Sequence, residues 1–568
     1  MGTFDWLVLS GTLSFIVAYG VWKTRGKQDI NDYLLAGRSM PWYVVGLSVM
    51  ATQASAITFL SAPGLAYADG MRFVQFYFGL PLAMIVLCAV FLPIYHKLNV
   101  YTAYEYLEGR FDLKTRGLAA GLFLLQRGLA AGLTIYAPSL ILSTLLGWNI
   151  VWSNLLIGGL VIIYTVSGGS AAVSQTQKQQ MAVILVGMVV AFVIMARLLP
   201  EDVSFGEAVR VAGKLDRLRT FDATFDLNDR YTLWSGLLGG FFLSLSYFGT
   251  DQSQVGRYLS GRSVGQSRLG LLFNGVVKIP LQFFILFVGA ILFVFYQFER
   301  PPVFFNVTEV ERLEQSPHAE ELAALEAEYD ELFVAKRGRI NDLVAALRTN
   351  DEAQIEAATA TAQRSVAATD ALRDRVGALM LKNDARADTN DTNYIFLTFV
   401  TRYLPEGLVG LLIAVIFSAS MSSTASELNA LASTTVVDLY RRVARPGRDD
   451  AHYLSASRWI TVGWGLYAIL IAMFASRLGN LLEAVNQLGS LFYGAVLGIF
   501  ITAFFVRRVQ GTAVFIAALL AEGLVFACFL LTDISFLWYN LIGCMLVILI
   551  ALAIQRGGNE GVDNIKDT

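Results

Sequence analysis

Long uncharged runs alternate with short charged segments along most of the 568-residue chain. A helix needs about 20 mostly apolar residues to cross a bilayer, and many of these runs reach that length. Only 15% of the residues are charged, against about 25% in soluble domains. The pattern predicts an all-α polytopic membrane protein. The net charge of −2 gives no basis for a nucleic-acid partner.

Thirteen transmembrane helices are predicted, at 4–22, 41–62, 73–95, 118–146, 150–168, 179–199, 232–250, 270–297, 403–425, 455–475, 481–506, 511–531 and 535–555. The loop after the first span and every second loop after it are basic, for example around Arg25, Arg116 and Arg441. The positive-inside rule therefore predicts a multi-pass protein of the plasma (inner) membrane, with its N-terminus outside and its C-terminus in the cytoplasm.

Residues 298–392 interrupt this pattern and are rich in Ala, Glu, Asp and Arg. Apolar residues recur there at helical spacing, which predicts two amphipathic helices packed as a hairpin. On the predicted topology this hairpin is extracytoplasmic. It is either a tolerated insertion, which exposed loops accept readily, or a lid or docking element for a protein partner.

The segment FSASMSSTASELNAL, 417–431, turns an apolar span into a cluster of hydroxyls. Ser418, Ser422 and Ser426 are four residues apart and share one helix face. Small residues of this kind let membrane helices pack closely. The alternative is a Na⁺ site, because hydroxyl and carbonyl oxygens are hard ligands; an interrupted helix would supply the missing carbonyls.

Two spans have the composition of interrupted helices, SVMATQASAITFLSAPGLAY at 48–67 and GGFFLSLSYFGTDQSQVGRY at 239–258. They are the second and seventh spans, so they hold equivalent places in two five-span units. Because five is odd, the two units have opposite orientations in the membrane. This arrangement is typical of inverted-repeat secondary transporters with a site near the bilayer midplane.

Several motifs resemble those of the sodium/solute symporters: DYLLAGRSMPWY (32–43), LPIYHKLNVYTAYEYLEGRF (92–111), GLTIYAPSLIL (132–142) and GTDQSQVGRYLS (249–260). They are closer to the monocarboxylate, multivitamin and iodide branch than to the glucose branch. The resemblance implies a LeuT-like core of two inverted five-helix repeats. The implied units are 1–40 (first span and cytoplasmic loop), 41–199 (first repeat), 200–231 (outer loop), 232–297 with 393–507 (second repeat), 298–392 (insertion) and 508–568 (two C-terminal spans and a tail).

The resemblance also implies a site for the coupling ion, Na⁺. Its ligands would be the carbonyls of Ala51, Ala54 and Ala419 and the hydroxyls of Ser422 and Ser423. Some members carry an aspartate for a second sodium at the position that Gln177 occupies here, so one Na⁺ per cycle is expected.

The residues that match the family's substrate pocket are Gln53, Thr58, Tyr77, Tyr247, Lys278 and Asn486, with Gln75 and Gln487 as close neighbours. The sugar branch typically has Glu where Tyr77 stands and Gln where Asn486 stands, which weakens a glucose interpretation. A charge inside a span is a functional candidate, but Lys278 could also extend to the cytoplasmic face. For Arg127, near its helix start, an interfacial role is the stronger expectation.

The predicted function is a sodium-coupled symporter that imports a small organic anion, such as a monocarboxylate or vitamin-like acid, by alternating access. A sodium/sugar symporter is the alternative, and a transporter-like sensor acting through a partner is a further one. Two interrupted helices in place of a symmetric pore argue against a channel. We expect no enzymatic activity, because no catalytic triad, nucleotide loop or cluster of His and Cys stands out in the sequence.

Overall fold

A computed structural model describes residues 2–24, 38–53, 55–98, 100–475 and 479–566. This part of the chain folds into helices and loops, with one isolated bridge between Met40 and Gly261. The helices are α1 Thr3–Thr24, α2 Trp42–Gln53, α3 Ala56–Asp69, α4 Leu80–Val86, α5 Leu92–Leu98, α6 Glu105–Arg110, α7 Leu113–Leu146, α8 Ile150–Arg197, α9 Phe205–Lys214, α10 Gly240–Thr250, α11 Gln252–Leu259, α12 Val264–Phe298, α13 Val307–Glu314, α14 Ala319–Thr349, α15 Glu352–Asn383, α16 Thr392–Tyr403, α17 Leu408–Thr434, α18 Asp450–Ala472, α19 Leu481–Phe505, α20 Gly511–Leu531 and α21 Phe536–Lys566.

Eight helices in the described ranges are long and apolar enough to cross a membrane, judged by length and composition. The two ends of α8, Ile150–Val166 and Met181–Arg197, are also apolar but shorter. The sequence predicts separate spans at 150–168 and 179–199, whereas the structure has helix throughout α8. The all-helical membrane fold is therefore confirmed, and the number of thirteen crossings stays a prediction.

Both predicted interruptions are present. Between α2 and α3, Ser55 is extended, with φ −75° and ψ 176°. Between α10 and α11, Asp251 is extended, with φ −80° and ψ 118°, and its carboxylate caps α11 by accepting a hydrogen bond from the Ser253 amide. Each break frees backbone groups in the interior of the protein. At the second break, the Gly249 and Thr250 carbonyls accept hydrogen bonds from the hydroxyls of Tyr95 and Tyr104, each at 2.7 Å.

The Pro63–Gly64 pair lies inside α3, beyond the break, and marks a close approach between helices. A Cβ added to Gly64 would overlap the Thr392 carbonyl oxygen. A Cβ added to Gly289 in α12 would overlap the Pro63 carbonyl oxygen. The second half of the first broken helix, α3, is therefore held directly against the backbones of α12 and α16.

The predicted hairpin is formed by α14 and α15. Near its base, Leu322, Leu325 and Tyr329 pack against Leu372 and Val376 in a separate apolar cluster. Its far half does not stand alone, because Ile340, Leu343 and Leu347 belong to the main core.

An ion pair fixes the tip of the hairpin to α9. Arg348 Nε lies 2.6 Å from Glu207 Oε1, and Arg210 donates a hydrogen bond of 2.8 Å to the Leu347 carbonyl. The hydrogen bond from Arg348 is the main reason that the pKa of Glu207 falls to about 2. The hairpin is thus docked along the transmembrane core rather than projecting freely.

Gln75 ties the loop between α9 and α10 to the core. Its Nε2 donates to the Tyr231 carbonyl (2.8 Å), and its Oε1 accepts from the Asp222 amide (3.0 Å). The hydroxyl and amide of Thr224 bind the Asp222 carboxylate and lower its pKa. A fully buried amide side chain thereby satisfies two loop backbone groups that are about 150 residues away in sequence.

We expect Gly289→Ala to lower stability by about 1–3 kcal/mol, because the added methyl must displace the backbone at Pro63. Thermal unfolding of the purified protein in detergent measures this. Gly159→Ala in α8 is the matched control, since no atom lies within 4 Å of the position that its added methyl group would occupy. Equal melting temperatures for the two variants would contradict the close α3–α12 contact.

We expect Gln75→Leu to destabilise the protein by about 1–3 kcal/mol for each backbone group left without its partner. Trypsin cleavage at Arg217 and Arg219 should accelerate, while the apparent affinity for Na⁺ should not change. Gln487→Leu is the control, because this amide is half-buried in α19. If the loop remains protected from trypsin in the Gln75 variant, the hydrogen bonds of Gln75 are not what holds the loop in place.

Candidate functional site

The hydroxyl segment of α17 meets the broken end of α2. The Ser423 hydroxyl donates to the Ala51 carbonyl oxygen at 3.4 Å. The Ser422 hydroxyl is buried and has no hydrogen-bond partner in the described part of the chain. Ala419, one turn earlier, is also buried. The predicted member Ala54 lies outside the described residues. The structure therefore brings Ser423 to Ala51, and Ser422 and Ala419 lie buried on the same stretch of α17.

Gln177 bridges this junction to α8. Its Oε1 accepts from Ser48 at 2.6 Å, and its Nε2 donates to Thr52 at 3.3 Å and to Ser426 at 3.4 Å. An amide therefore stands where a carboxylate would add negative charge, and it directs a donor toward the hydroxyls. Among the described residues, no group of three or more His, Cys, Asp or Glu is placed to hold a metal ion.

A small cavity of about 70 Å³ adjoins the junction. Five of the predicted substrate residues line it: Gln53, Thr58, Tyr77, Tyr247 and Asn486. The Gln53 Oε1 is buried and unpartnered among the described residues, whereas Asn486 donates to the Leu482 carbonyl at 2.8 Å. Ligand pockets typically measure about 300–1,000 Å³, so this cavity is smaller than a typical ligand pocket.

Three predicted substrate residues do not line the cavity. Gln75 holds the loop described above, and Gln487 is half-buried in α19. Lys278 is fully buried behind Tyr77, with its Nζ 5.6 Å from the centre of the tyrosine ring. It does not extend to a membrane surface. Its role in binding stays a prediction.

A buried ion cluster that was not predicted from the sequence borders the cavity, which Arg127 and Glu427 line. Arg127 contacts Asp251 through Nη2 and Glu427 through Nη1, the latter at 3.0 Å. Its Nη2 also donates to the Tyr493 hydroxyl at 2.7 Å. Thr134 donates to the second oxygen of Glu427 at 2.8 Å. Arg127 is therefore not interfacial: it joins α7 to the break between α10 and α11 and to α17.

Two signals in the sequence could have revealed this cluster. Glu427 is a carboxylate within the hydroxyl segment 417–431, just past the predicted span 403–425, and Asp251 stands at the second interruption, just past the predicted span 232–250. Intramembrane charges are rare and are usually paired with one another. The prediction misjudged the depth of Arg127 because a uniformly apolar span gives no reference point for depth.

The charges of this cluster do not cancel. One guanidinium faces two carboxylates, all buried, so the formal charge of the group is −1. Burying uncompensated charge is costly. Because Ser423 lies one helical turn before Glu427, a monovalent cation held at the α2–α17 junction would restore neutrality next to the cavity.

Known transporters resemble this chain along nearly its whole length. The model of the sodium:solute symporter family matches residues 33–308 and 375–521. The sodium/sialic acid symporter NanT of Aliivibrio fischeri is 26% identical over 97% of this chain and 92% of the relative. The human sodium-coupled monocarboxylate transporter 1 is 27% identical over 88% of this chain and 69% of the relative.

A solved structure of a Na⁺-coupled sialic acid symporter, in a substrate-bound outward-open state, matches with a TM-score of 0.74 and 23% identity over 98% of both chains. It confirms the predicted fold. The gap in the family match, 309–374, falls within the helical hairpin and the short helix before it. The predictions of a sodium-coupled membrane transporter and of no enzyme are confirmed by the family match. The chain belongs to the sodium:solute symporter family.

Proposed function

We propose that this protein imports a small organic anion together with one Na⁺ per cycle, and that Arg127 recognises the anionic group. The observation that carries the proposal is a buried guanidinium in the wall of the cavity, next to the α2–α17 junction. Sodium coupling itself follows from the family.

The proposed ligands of Na⁺ are the carbonyls of Ala51, Ala54 and Ala419 and the hydroxyls of Ser422 and Ser423. The unpartnered Ser422 hydroxyl and the weak 3.4 Å bond from Ser423 support this assignment, because both groups are available for a cation. Binding there would tie α2 of the first repeat to α17 of the second. One charge that crosses 100 mV contributes about 2.3 kcal/mol to uptake.

The proposed substrate contacts combine one ionic group with several neutral ones. A guanidinium binds a carboxylate through two parallel hydrogen bonds, so a solute carboxylate would replace Asp251 or Glu427 on Arg127. Gln53, Thr58 and Asn486 would bind its hydroxyl or carbonyl groups, and Tyr77 and Tyr247 would cover its apolar surface. The names of the relatives support this class, since sialic acid and monocarboxylates are organic anions.

Alternating access would proceed by rocking one group of helices against another around this site. The proposed units are 41–199 and 232–297 with 393–507, in the orientation that the basic loops predict. Both broken helices end at the site, so ion and solute would bind differently to the two arrangements of the core. Such a difference in affinity is what allows a ligand to shift a conformational equilibrium. The docked hairpin, on the outer face, would move with the loop that carries α9.

A neutral sugar is the second candidate. The unpartnered Gln53 Oε1 and the neighbouring Thr58 and Asn486 favour it, because these uncharged groups suit hydroxyls. The ion cluster favours the anion, since hydroxyl recognition does not require a buried arginine.

We expect Ser423→Ala to raise the Na⁺ concentration for half-maximal stabilisation and uptake at least tenfold, a change of about 1.4 kcal/mol in binding. The measurements are thermal stability against Na⁺, with K⁺ keeping ionic strength constant, and uptake into proteoliposomes under a Na⁺ gradient. Ser433→Ala is the control on the same helix, where the hydroxyl only bonds the Ala430 carbonyl. An unchanged Na⁺ dependence in the Ser423 variant would remove this residue from the site.

We expect Arg127→Lys to weaken stabilisation by small carboxylic acids at least tenfold, because lysine keeps the charge but loses the planar fork. Each acid is compared with its uncharged amide, in Na⁺ and in K⁺. Arg110→Lys is the control, since this arginine binds carbonyls between 503 and 509. If the amides or sugars stabilise the parent protein as well as the acids do, the substrate is neutral.

A further inference from the structure

A row of polar side chains is buried along one face of α12. Asn274, Lys278 and Gln282 are four residues apart and have no exposed surface. Both polar atoms of each amide and the Lys278 Nζ lack a hydrogen-bond partner within the described part of the chain. Five such atoms on one face of a helix are notable, because the large majority of buried side-chain polar atoms in proteins are hydrogen-bonded.

Two buried arginines of this protein are paired with carboxylates. Arg116 in α7 lies 2.7 Å from Asp438, and Arg127 contacts two carboxylates. No described carboxylate lies within ion-pair distance of Lys278, although a buried ammonium without a counter-charge costs several kcal/mol. The ammonium form of Lys278 therefore requires a negative charge that no described side chain supplies.

The row lies directly behind the wall of the cavity. Lys278 Nζ stands 5.6 Å from the centre of the Tyr77 ring, and Tyr77 lines the cavity. Gly275, three residues before Lys278, packs against Met84, where an added Cβ would lie 2.8 Å from the methionine Cγ. Tyr77 therefore separates the row from the site of the ion cluster.

We propose that Asn274, Lys278 and Gln282 form a binding site for a small anion. Successive members lie about 6 Å apart along the helix axis, within reach of the long lysine side chain. The ammonium supplies the charge, and the two amide NH₂ groups supply further donors. The anion is either a free halide or a carboxylate of the transported solute that passes Tyr77. Because a halide needs no transported solute, this site does not depend on the proposed function.

The first experiment titrates the purified full-length protein with NaCl, NaBr or NaI, replacing sodium methanesulfonate at constant Na⁺, so that no carboxylate is present. Thermal stability should rise and saturate with halide. In Lys278→Met this rise should disappear, and in Asn274→Leu and Gln282→Leu its midpoint should increase at least threefold. Lys336→Met is the control, because this buried lysine belongs to the hairpin and faces Phe333.

A second set of measurements identifies the source of the anion. If it is a free halide, solute and halide stabilise additively, and bromide gives anomalous density beside Lys278 in crystals. If it is the solute's carboxylate, halide raises the solute concentration needed for half-maximal stabilisation. Lys278→Met then raises that concentration at least tenfold, while the Na⁺ concentration for half-maximal stabilisation does not change. The proposal is overturned if halides and carboxylates stabilise the parent and the Asn274 and Gln282 variants equally, or if Lys278→Met melts higher than the parent at every halide concentration. The proposed function fails separately, if Arg127→Lys leaves carboxylate stabilisation unchanged.

Discussion

The contact on which this architecture depends is the one between Arg127 and its two carboxylates. Asp251 stands at the break of the second interrupted helix, and Glu427 lies one turn beyond the hydroxyls of α17. A single guanidinium therefore holds three otherwise separate elements around the cavity. Removing one partner of such a group leaves the others buried and unpaired, at a cost of about 3–5 kcal/mol. A substrate carboxylate that bound Arg127 would have to displace one of these two carboxylates from the guanidinium.

The parts of the site that were predictable share a local origin. The hydroxyl spacing of 418, 422 and 426 and the small polar stretch around 51–58 are visible in short segments, and the structure brings Ser423 to Ala51. The hairpin was predictable because its apolar residues repeat at helical spacing. The family resemblance then indicated which segments belong together.

What could not be predicted depends on contacts between distant segments. Gln75 resembles a pocket residue by position, yet it satisfies backbone groups at 222 and 231. Lys278 is at a pocket position along its helix, yet a tyrosine ring lies between it and the cavity. Neither distinction follows from spacing, because both depend on the rotation of a helix relative to a neighbour. Within the segment 48–67, which was predicted to be interrupted, the break falls at Ser55, while Pro63 lies inside α3 at a close helix contact.

The two sides of the cavity carry opposite imbalances of charge. The ion cluster has one carboxylate more than it has cations, and Lys278 on the other side of Tyr77 has no carboxylate partner among the described residues. At an effective dielectric of about 20 a unit charge at 4 Å contributes about 4 kcal/mol, so each imbalance favours a ligand of the opposite sign. A solute carboxylate that entered on Arg127 would make the cluster more negative unless a cation entered with it, while an anion beside Lys278 would neutralise only the other side. Coupling between Na⁺ and the solute would then arise from electrostatics, without direct contact between the ion and the solute.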